Sequence, residues 1–126
     1  CGLAFERVCL LHSRQIKAAL GISGIMANIF SWHVKGNDVH PGVQIDLLID
    51  RSDNVINICE MKYAPNGYSM TAAALESINK KVIVLQHYVH ARKFISPVLI
   101  TSNGIIRNKY SDDIRQSVTA EQLFLP

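Results

Sequence analysis

The sequence predicts an α/β fold in which a central mixed sheet contains a β-hairpin and is flanked by helices, in the order α-β-β-β-α-β-β-α. Two apolar runs, Val43–Asp50 and Val55–Tyr63, are separated by only four residues, which favours a hairpin over any longer connection. Apolar residues at helical spacing lie on both sides of this hairpin. A chain of 126 residues is long enough for one modest core, so we expect residues 1–126 to form a single domain.

The elements before the hairpin are predicted to be a helix, a strand and a turn. An amphipathic helix is expected over Leu3–Leu20, with Gly21 as its stop. Its core-facing side chains recur at three- and four-residue steps: Phe5, Cys9, His12 and Ile16. The β-branched and aromatic content of Ile22–Lys35 predicts a strand with a bulge at Gly24, and Gly36–Gly42 has the composition of a turn.

The elements after the hairpin begin with a loop and a long helix. Pro65, Asn66 and Gly67 place a loop over Ala64–Ser69. Apolar side chains stepping by three and four residues predict a helix over Thr71–Arg92, although its stretch Val82–Leu85 also fits a strand.

The final third of the chain is expected to add two strands and a short helix. Pro97–Ser102 reads as a short apolar strand, and Asn103-Gly104 signals a tight hairpin into a second strand, Ile105–Tyr110. Thr119 and Gln122 have the spacing of a capping box, which predicts a terminal helix.

Composition excludes several classes of protein. The hydrophobic share of 48% is too high for a disordered chain. The longest run without charged residues, Ala18–Val34, is shorter than the roughly 20 apolar residues that a membrane helix needs, and no secretory leader is expected. Three cysteines without a CxxC pair indicate reduced thiols in a cytoplasmic protein. The net charge of +3 permits a nucleic-acid partner without requiring one.

The hairpin carries the polar residues with the clearest chemical pattern. Because side chains alternate along a strand, two sets are expected to share a face: Gln44, Asp46, Leu48 and Asp50 on the first strand, and Ile56, Ile58, Glu60 and Lys62 on the second. A three-residue loop over 52–54 would place Asp46 opposite Glu60, with Asn54 in the left-handed region. Loops of two or four residues would separate the carboxylates; we choose the three-residue loop.

Two opposed carboxylates with a nearby lysine are typical of a metal-dependent phosphodiester hydrolase. Like charges opposed in a sheet are destabilising, and a divalent cation such as Mg²⁺ or Mn²⁺ can supply the counter-charge. Lys62 can orient a metal-bound water and stabilise developing negative charge. The alternative is a solvated face with ordinary salt bridges, but the apolar character of both strands favours the interior of a sheet.

Asp46, the string Glu60-Met61-Lys62 and a preceding helix with Glu6 resemble the PD-(D/E)XK, or restriction-endonuclease-like, nuclease superfamily. Ile45 stands where the superfamily's name has proline. More narrowly, the strings GVQIDLLIDR and INICEMKYA are similar to the nuclease-like domain at the C-terminus of certain bacterial and archaeal AAA-type ATPases. The resemblance covers most of the chain and implies a restriction-endonuclease-like fold, a DNA substrate and an ATPase domain preceding this one in the full-length chain.

The same resemblance implies a role for each polar residue. Asp46 and Glu60 would be metal ligands, Lys62 the catalytic lysine, and Glu6 the acid that holds a metal-bound water or a second ion. At about 100° per residue Glu6 lies at the rim of the apolar helix face, where it could reach the sheet or remain a plain surface glutamate. Gln44 is an accessory candidate for positioning a phosphate or a water, or a structural hydrogen-bonding group.

Lys80, Lys81 and His87 in the long helix are weaker candidates for nucleic-acid contact, since a solvated helix face is the commoner explanation of such a stripe. The sequence therefore predicts a Mg²⁺- or Mn²⁺-dependent nuclease domain. The alternative function is a catalytically silent module of the same fold that binds DNA or regulates the attached ATPase.

Overall fold

A computed structural model describes residues 2–90 and 92–125 and shows a mixed α/β fold, with a five-stranded sheet flanked by helices. Its elements are α1 (Gly2–Leu11), α2 (Ser13–Ala19), β1 (Ala27–Val34), β2 (Val43–Arg51), β3 (Val55–Lys62), α3 (Ala72–Gln86), β4 (Phe94–Thr101) and β5 (Gln116–Thr119), with 3-10 helices at Ser111–Asp113 and Ala120–Phe124. None of the described helices is long and apolar enough to cross a membrane.

The strands lie side by side in sequence order, β1-β2-β3-β4-β5. The first three form an antiparallel meander, whereas β3–β4 and β4–β5 are parallel pairs. A parallel connection needs a crossover, and α3 supplies it between β3 and β4. The predicted mixed sheet with a hairpin at its centre is thereby confirmed.

Helices cover both faces of the sheet and create two apolar clusters. The first cluster joins α1 and α2 to one face through side chains that include Phe5, Cys9, Ile16, Leu47, Ile49, Cys59 and Val98. The second cluster joins α3 to the other face through side chains that include Ile45, Leu48, Ile56, Ile58, Ile78, Leu85 and Leu99. The strands β2 and β3 contribute to both clusters, so the hairpin is the buried centre of the domain.

The hairpin has the predicted register. Leu47 pairs with Cys59 and Asp50 with Ile56, and Asn54 has a φ of 66°, in the left-handed region. Asparagine tolerates this conformation better than most residues because its short polar side chain bonds locally. The three-residue loop is therefore confirmed.

A β-bulge in β2 changes which side chains share a face. Phe30 pairs with Leu48 but Trp32 pairs with Ile45, so Asp46 and Leu47 together stand against the single residue between them on β1. As a result Leu48 belongs to the α3 cluster and Leu47 to the α1 cluster. The prediction that Asp46 shares a face with Leu48 and Asp50 is wrong, because simple alternation does not survive a bulge.

The predicted first helix is interrupted at His12. The backbone of His12 is non-helical, with a φ of −118° and a ψ of 35°, and the His12 Nδ1 lies 2.7 Å from the Val8 carbonyl oxygen. Phe5, Cys9 and Ile16 are buried as predicted on either side of the break. Thus one predicted helix over 3–20 becomes two, with a shared apolar face.

Two other boundaries differ from the prediction. The first strand begins at Ala27, and Gly24 lies in the turn before it, not at a bulge. The helix α3 ends at Gln86, where the amides of His87 and Tyr88 donate to carbonyls three residues back instead of four. The predicted continuation to Arg92 is wrong, because Arg92 has a φ of 87°, which a helix excludes. The alternative strand over 82–85 is wrong, since these residues lie inside α3.

The predicted hairpin at Asn103-Gly104 is wrong. The Gly104 amide donates to Thr101 Oγ1 at 3.0 Å, and the Gly104 carbonyl accepts from the amide of Tyr68. Ile105 therefore makes an isolated bridge to Tyr68, while the partner of β4 is β5, further along the chain. The predicted capping box is confirmed: Thr119 and Gln122 open the last 3-10 helix.

Candidate active site

Four of the predicted site residues lie around one end of the central hairpin. Asp46 is in the bulge of β2, Glu60 and Lys62 are at the end of β3, and α1 packs on β3 and carries Glu6. Glu6 is close enough to the other three for their charges to affect its ionisation. The fold thus gathers three carboxylates and one ammonium from three elements.

The ionisation of Glu6 depends on its neighbours, and Asp46 is its nearest acidic influence. Burial, a hydrogen bond between the two carboxyl groups and the negative charges of Asp46 and Glu60 raise the pKa of Glu6. The positive charge of Lys62 acts in the opposite direction and lowers it. A hydrogen bond between two carboxyl groups needs one of them to be protonated, so the pair does not carry two negative charges without cost.

Gln44 contacts the same carboxylate from within β2. Its Nε2 donates to Asp46 Oδ1 at 2.8 Å, and the bond is exposed to solvent. Gln44 therefore orients Asp46. The two side chains keep the common face that the sequence predicts for them, because both precede the irregular step in the strand.

Glu60 is held by lysines from two different elements. Lys81 Nζ, on α3, lies 2.9 Å from Oε2 and 3.3 Å from Oε1 of Glu60. Lys62 Nζ is more distant, at 3.8 Å from Oε1. The stronger contact comes from α3, on the opposite face of the sheet from α1.

The side chains of Asp46 and Glu60 consequently point toward different helices. The regular ladder between β2 and β3 ends at Leu47–Cys59, one residue short of Asp46 and Glu60. Asp46 meets Glu6 on α1, whereas Glu60 meets Lys81 on α3. The predicted opposition of Asp46 and Glu60 on one face of the sheet is wrong. The bulge places Asp46 on the α1 face, whereas Glu60 lies on the α3 face.

The donor atoms suit a hard cation, although they are not arranged around one. Carboxylate oxygens of Glu6, Asp46 and Glu60 are the ligand type that Mg²⁺ and Mn²⁺ prefer. Within residues 2–90 and 92–125, no group of three or more His, Cys, Asp or Glu side chains has the geometry to hold a metal ion. Binding would require Glu60 to turn away from Lys81.

Lys81 is the residue whose place the sequence analysis missed. The sequence predicts it, with Lys80 and His87, as a candidate for nucleic-acid contact, but its side chain is directed at Glu60. A signal was present: Ile78 and Leu85, three residues before and four after it, are buried against the sheet. Lys80 is exposed, and the His87 ring stacks near His40 with centroids 6.1 Å apart, so the three do not form one surface.

Three further side chains around the site have a raised pKa. Burial and the charge of Glu60 raise the pKa of Tyr68, which the sequence analysis did not single out. Burial raises the pKa of Cys59 to about 12 and that of Cys9 to about 11. These buried thiols stay protonated at neutral pH, so neither is the nucleophile of this site.

Comparisons with known proteins show the fold alone. No protein family matches the chain, and no curated protein matches it. A solved structure described as a protein of unknown function, AF1548, is similar over 86% of this chain with a TM-score of 0.54 and 16% sequence identity. The matched region spans 55% of the length of that protein. The likeness supports the mixed α/β architecture.

Proposed function

We propose that this domain is a metal-dependent nuclease that hydrolyses phosphodiester bonds of DNA. The observation that carries the proposal is the contact between Glu6 and Asp46 at the end of the hairpin where Glu60 and Lys62 also lie, close enough for their charges to act on Glu6. Their mutual repulsion is costly unless positive charge is supplied, and nothing in the packing of the core requires three acids there. Sites with this property are typical of catalysis.

The resemblance of the hairpin strings to the C-terminal domain of AAA-type ATPases supports the proposed activity. The same resemblance supports a restriction-endonuclease-like fold. A meander followed by a helical crossover into a parallel strand agrees with the fold expected from that resemblance. We extend the proposal to the full-length chain, in which an ATPase domain would precede this one and act on the same DNA.

Asp46 and Glu60 would hold Mg²⁺ or Mn²⁺, with Gln44 orienting Asp46. Such an ion polarises a phosphoryl oxygen and lowers the pKa of a bound water. Lys62 places its ammonium on the same strand face as Glu60, where it would stabilise negative charge that develops on the phosphate. Glu6, with its raised pKa, would accept or hold a proton beside Asp46.

The second candidate function is a catalytically silent module that binds DNA or regulates the attached ATPase. One observation favours it: Glu60 is already neutralised by Lys81, so the acids are partly satisfied without a metal. A silent module would keep the fold and use the site as a salt-bridge network.

A nicking assay separates the two functions. Supercoiled plasmid is incubated with the protein and Mn²⁺ or Mg²⁺, with excess chelator as the control. We expect relaxed and linear DNA with the cations, and none with chelator or with Asp46→Ala. Intact plasmid under all conditions, together with retained DNA binding, would move the assignment to the silent module.

A further inference from the structure

A cavity of about 220 Å³ lies on the α3 face of the sheet, between the hairpin and the residues that follow α3. The buried side chains of Leu48, Ile56 and Leu85 form its apolar floor. It is near the loop end of the hairpin, whereas the candidate active site is at the other end. Pockets for whole drug-sized ligands usually exceed about 300 Å³, so this cavity suits a single planar ring.

Aromatic side chains form the walls of the cavity. The rings of Trp32 and Tyr88 have centroids 5.5 Å apart and planes inclined at 62°, and Phe30 lies at the rim with 42% of its surface exposed. A planar ring placed between them can stack on one wall and meet the edge of the other, which are the two arrangements that aromatic groups favour. The walls therefore fit a flat aromatic ligand.

Tyr88 is fixed in place although 48% of its surface is exposed. Its hydroxyl lies 2.6 Å from Nε2 of the buried His40, and His40 Nδ1 lies 2.7 Å from the Pro41 carbonyl oxygen. Because that carbonyl only accepts, Nδ1 carries the proton of the neutral ring and the Tyr88 hydroxyl donates to Nε2. An exposed ring held in this way loses little freedom when a ligand stacks on it.

The margin of the cavity is polar and offers a donor beside an acceptor. Lys93 Nζ lies 2.8 Å from Asp50 Oδ1, and the two side chains are only partly exposed. This contact engages one carboxylate oxygen and one ammonium hydrogen, whereas a carboxylate has a second oxygen and an ammonium two more hydrogens to offer. A ligand with a neighbouring donor and acceptor on one edge can therefore bond to both residues.

We propose that this cavity binds a nucleobase, with its ring against Tyr88 and Trp32 and its polar edge toward Asp50 and Lys93. Nucleobases combine a flat apolar face with adjacent donors and acceptors, such as the amino group and ring nitrogen of adenine. An apolar side chain of a protein partner would leave the polar margin unused. The inference goes beyond the proposed function, because it needs neither a cation nor hydrolysis.

The test is a titration of deoxyadenosine followed by nuclear magnetic resonance. Trp32 is the sole tryptophan of the chain, so its indole N–H signal reports on the cavity. We expect a saturable shift of that signal, and indole, a flat ring with a donor but no ring-nitrogen acceptor, should bind about tenfold more weakly or worse. A short single-stranded oligodeoxyadenylate separates two sources of the base: tighter binding than deoxyadenosine indicates a DNA strand, and equal binding a free nucleoside.

Two matched pairs of variants locate the ligand. Tyr88→Ala should weaken deoxyadenosine binding about tenfold or more, the scale of losing one stacked ring, whereas Tyr88→Phe keeps the ring and should bind within a few-fold of wild type. Lys93→Met should also weaken binding, with the exposed Lys80→Met as its control. If Lys93→Met folds poorly because Asp50 loses its partner, the Tyr88 pair still decides the outcome.

Three results would overturn the inference. The first is an unshifted Trp32 signal with both deoxyadenosine and the oligonucleotide. The second is indole binding as tightly as deoxyadenosine, which would mark an apolar pocket for a protein side chain. The third is unchanged deoxyadenosine affinity in Tyr88→Ala, which would place the base elsewhere. None of these results depends on Mn²⁺ or on plasmid cleavage, so they leave the nuclease proposal to its own test.

Discussion

Lys62 and Lys81 are both lysines near Glu60, but their settings differ. Lys62 approaches at 3.8 Å and is a third exposed, whereas Lys81 makes the short contact from the covered side. The more open lysine is the one free to meet a substrate, and the enclosed one is committed to the protein. The nuclease proposal therefore assigns the chemical role to Lys62.

Lys62→Met should reduce nuclease activity on the order of 10²-fold or more while changing the melting temperature little. Methionine keeps most of the aliphatic length, and the lost charge acts only on developing negative charge in the transition state. Plasmid nicking and thermal unfolding measure the two effects, with Lys80→Met as the control. Full activity in Lys62→Met would show that this lysine is structural.

Glu6→Gln should stabilise the protein more at neutral than at acid pH. The pKa of Glu6 is raised in the folded state, mainly by burial and by Asp46, so its protonated form contributes stability below its ordinary value of 4.5. That stability is lost as the pH rises through the raised pKa. Glutamine keeps a hydrogen-bond donor for Asp46 at every pH.

Thermal unfolding of wild type and Glu6→Gln between pH 4 and pH 7 measures this effect, with the exposed Glu76→Gln as control. The difference in melting temperature between Glu6→Gln and wild type should grow as the pH rises. A difference that stays constant or shrinks would contradict the contact between Glu6 and Asp46.

The hairpin β2–β3 shows how one element serves both the core and the site. The loop sets the register of the hairpin, because Asn54 adopts the left-handed conformation that a three-residue loop needs. The Arg51 side chain stabilises the loop by donating to Asp53 at 2.6 Å and to Asn57 at 3.0 Å. The bulge in β2 then turns Asp46 toward α1. The loop therefore sets which residues of β2 and β3 pair, whereas the bulge sets the direction of the Asp46 side chain.

Asn54→Gly should be tolerated, and Asn54→Val should lower the free energy of unfolding by about 1 to 3 kcal/mol. The φ of 66° suits glycine and asparagine but strains a β-branched residue. Urea denaturation measures the change, with the exposed Ser52→Val as a control in the same loop. Equal stability of Asn54→Val and wild type would mean that the loop does not hold this conformation in solution.

At the scale of the molecule, the site joins α1, β2, β3 and α3, so binding a cation there should stabilise the fold as a unit. A ligand at 100 times its dissociation constant adds about 2.7 kcal/mol when it binds only the folded state. We expect Mn²⁺ to raise the melting temperature of wild type, and chelator to reverse the rise. Asp46→Ala should abolish it, and an equal rise in this variant would remove Asp46 from the site.

Much of the fold was predictable because its signals are local. The strands of the hairpin, its register, the loop around Asn54 and the cap at Thr119 depend on neighbours within a few residues, and the structure confirms them. The parallel strand β5 was missed because its partner β4 lies far back in the chain. Asn103-Gly104 has the sequence pattern of a hairpin turn, but the turn closes through the hydrogen bond from Gly104 to Thr101 and no paired strand follows it.

Local pattern is enough to place Glu6 on a helix and Asp46, Glu60 and Lys62 on a hairpin, because alternation and register are properties of neighbouring residues. The direction in which each carboxylate points depends on long-range packing. A bulge against β1 turned Asp46 toward α1, and packing of α3 brought Lys81 to Glu60. Such contacts join residues distant in the chain, so their geometry depends on how the helices pack on the sheet and not on local spacing.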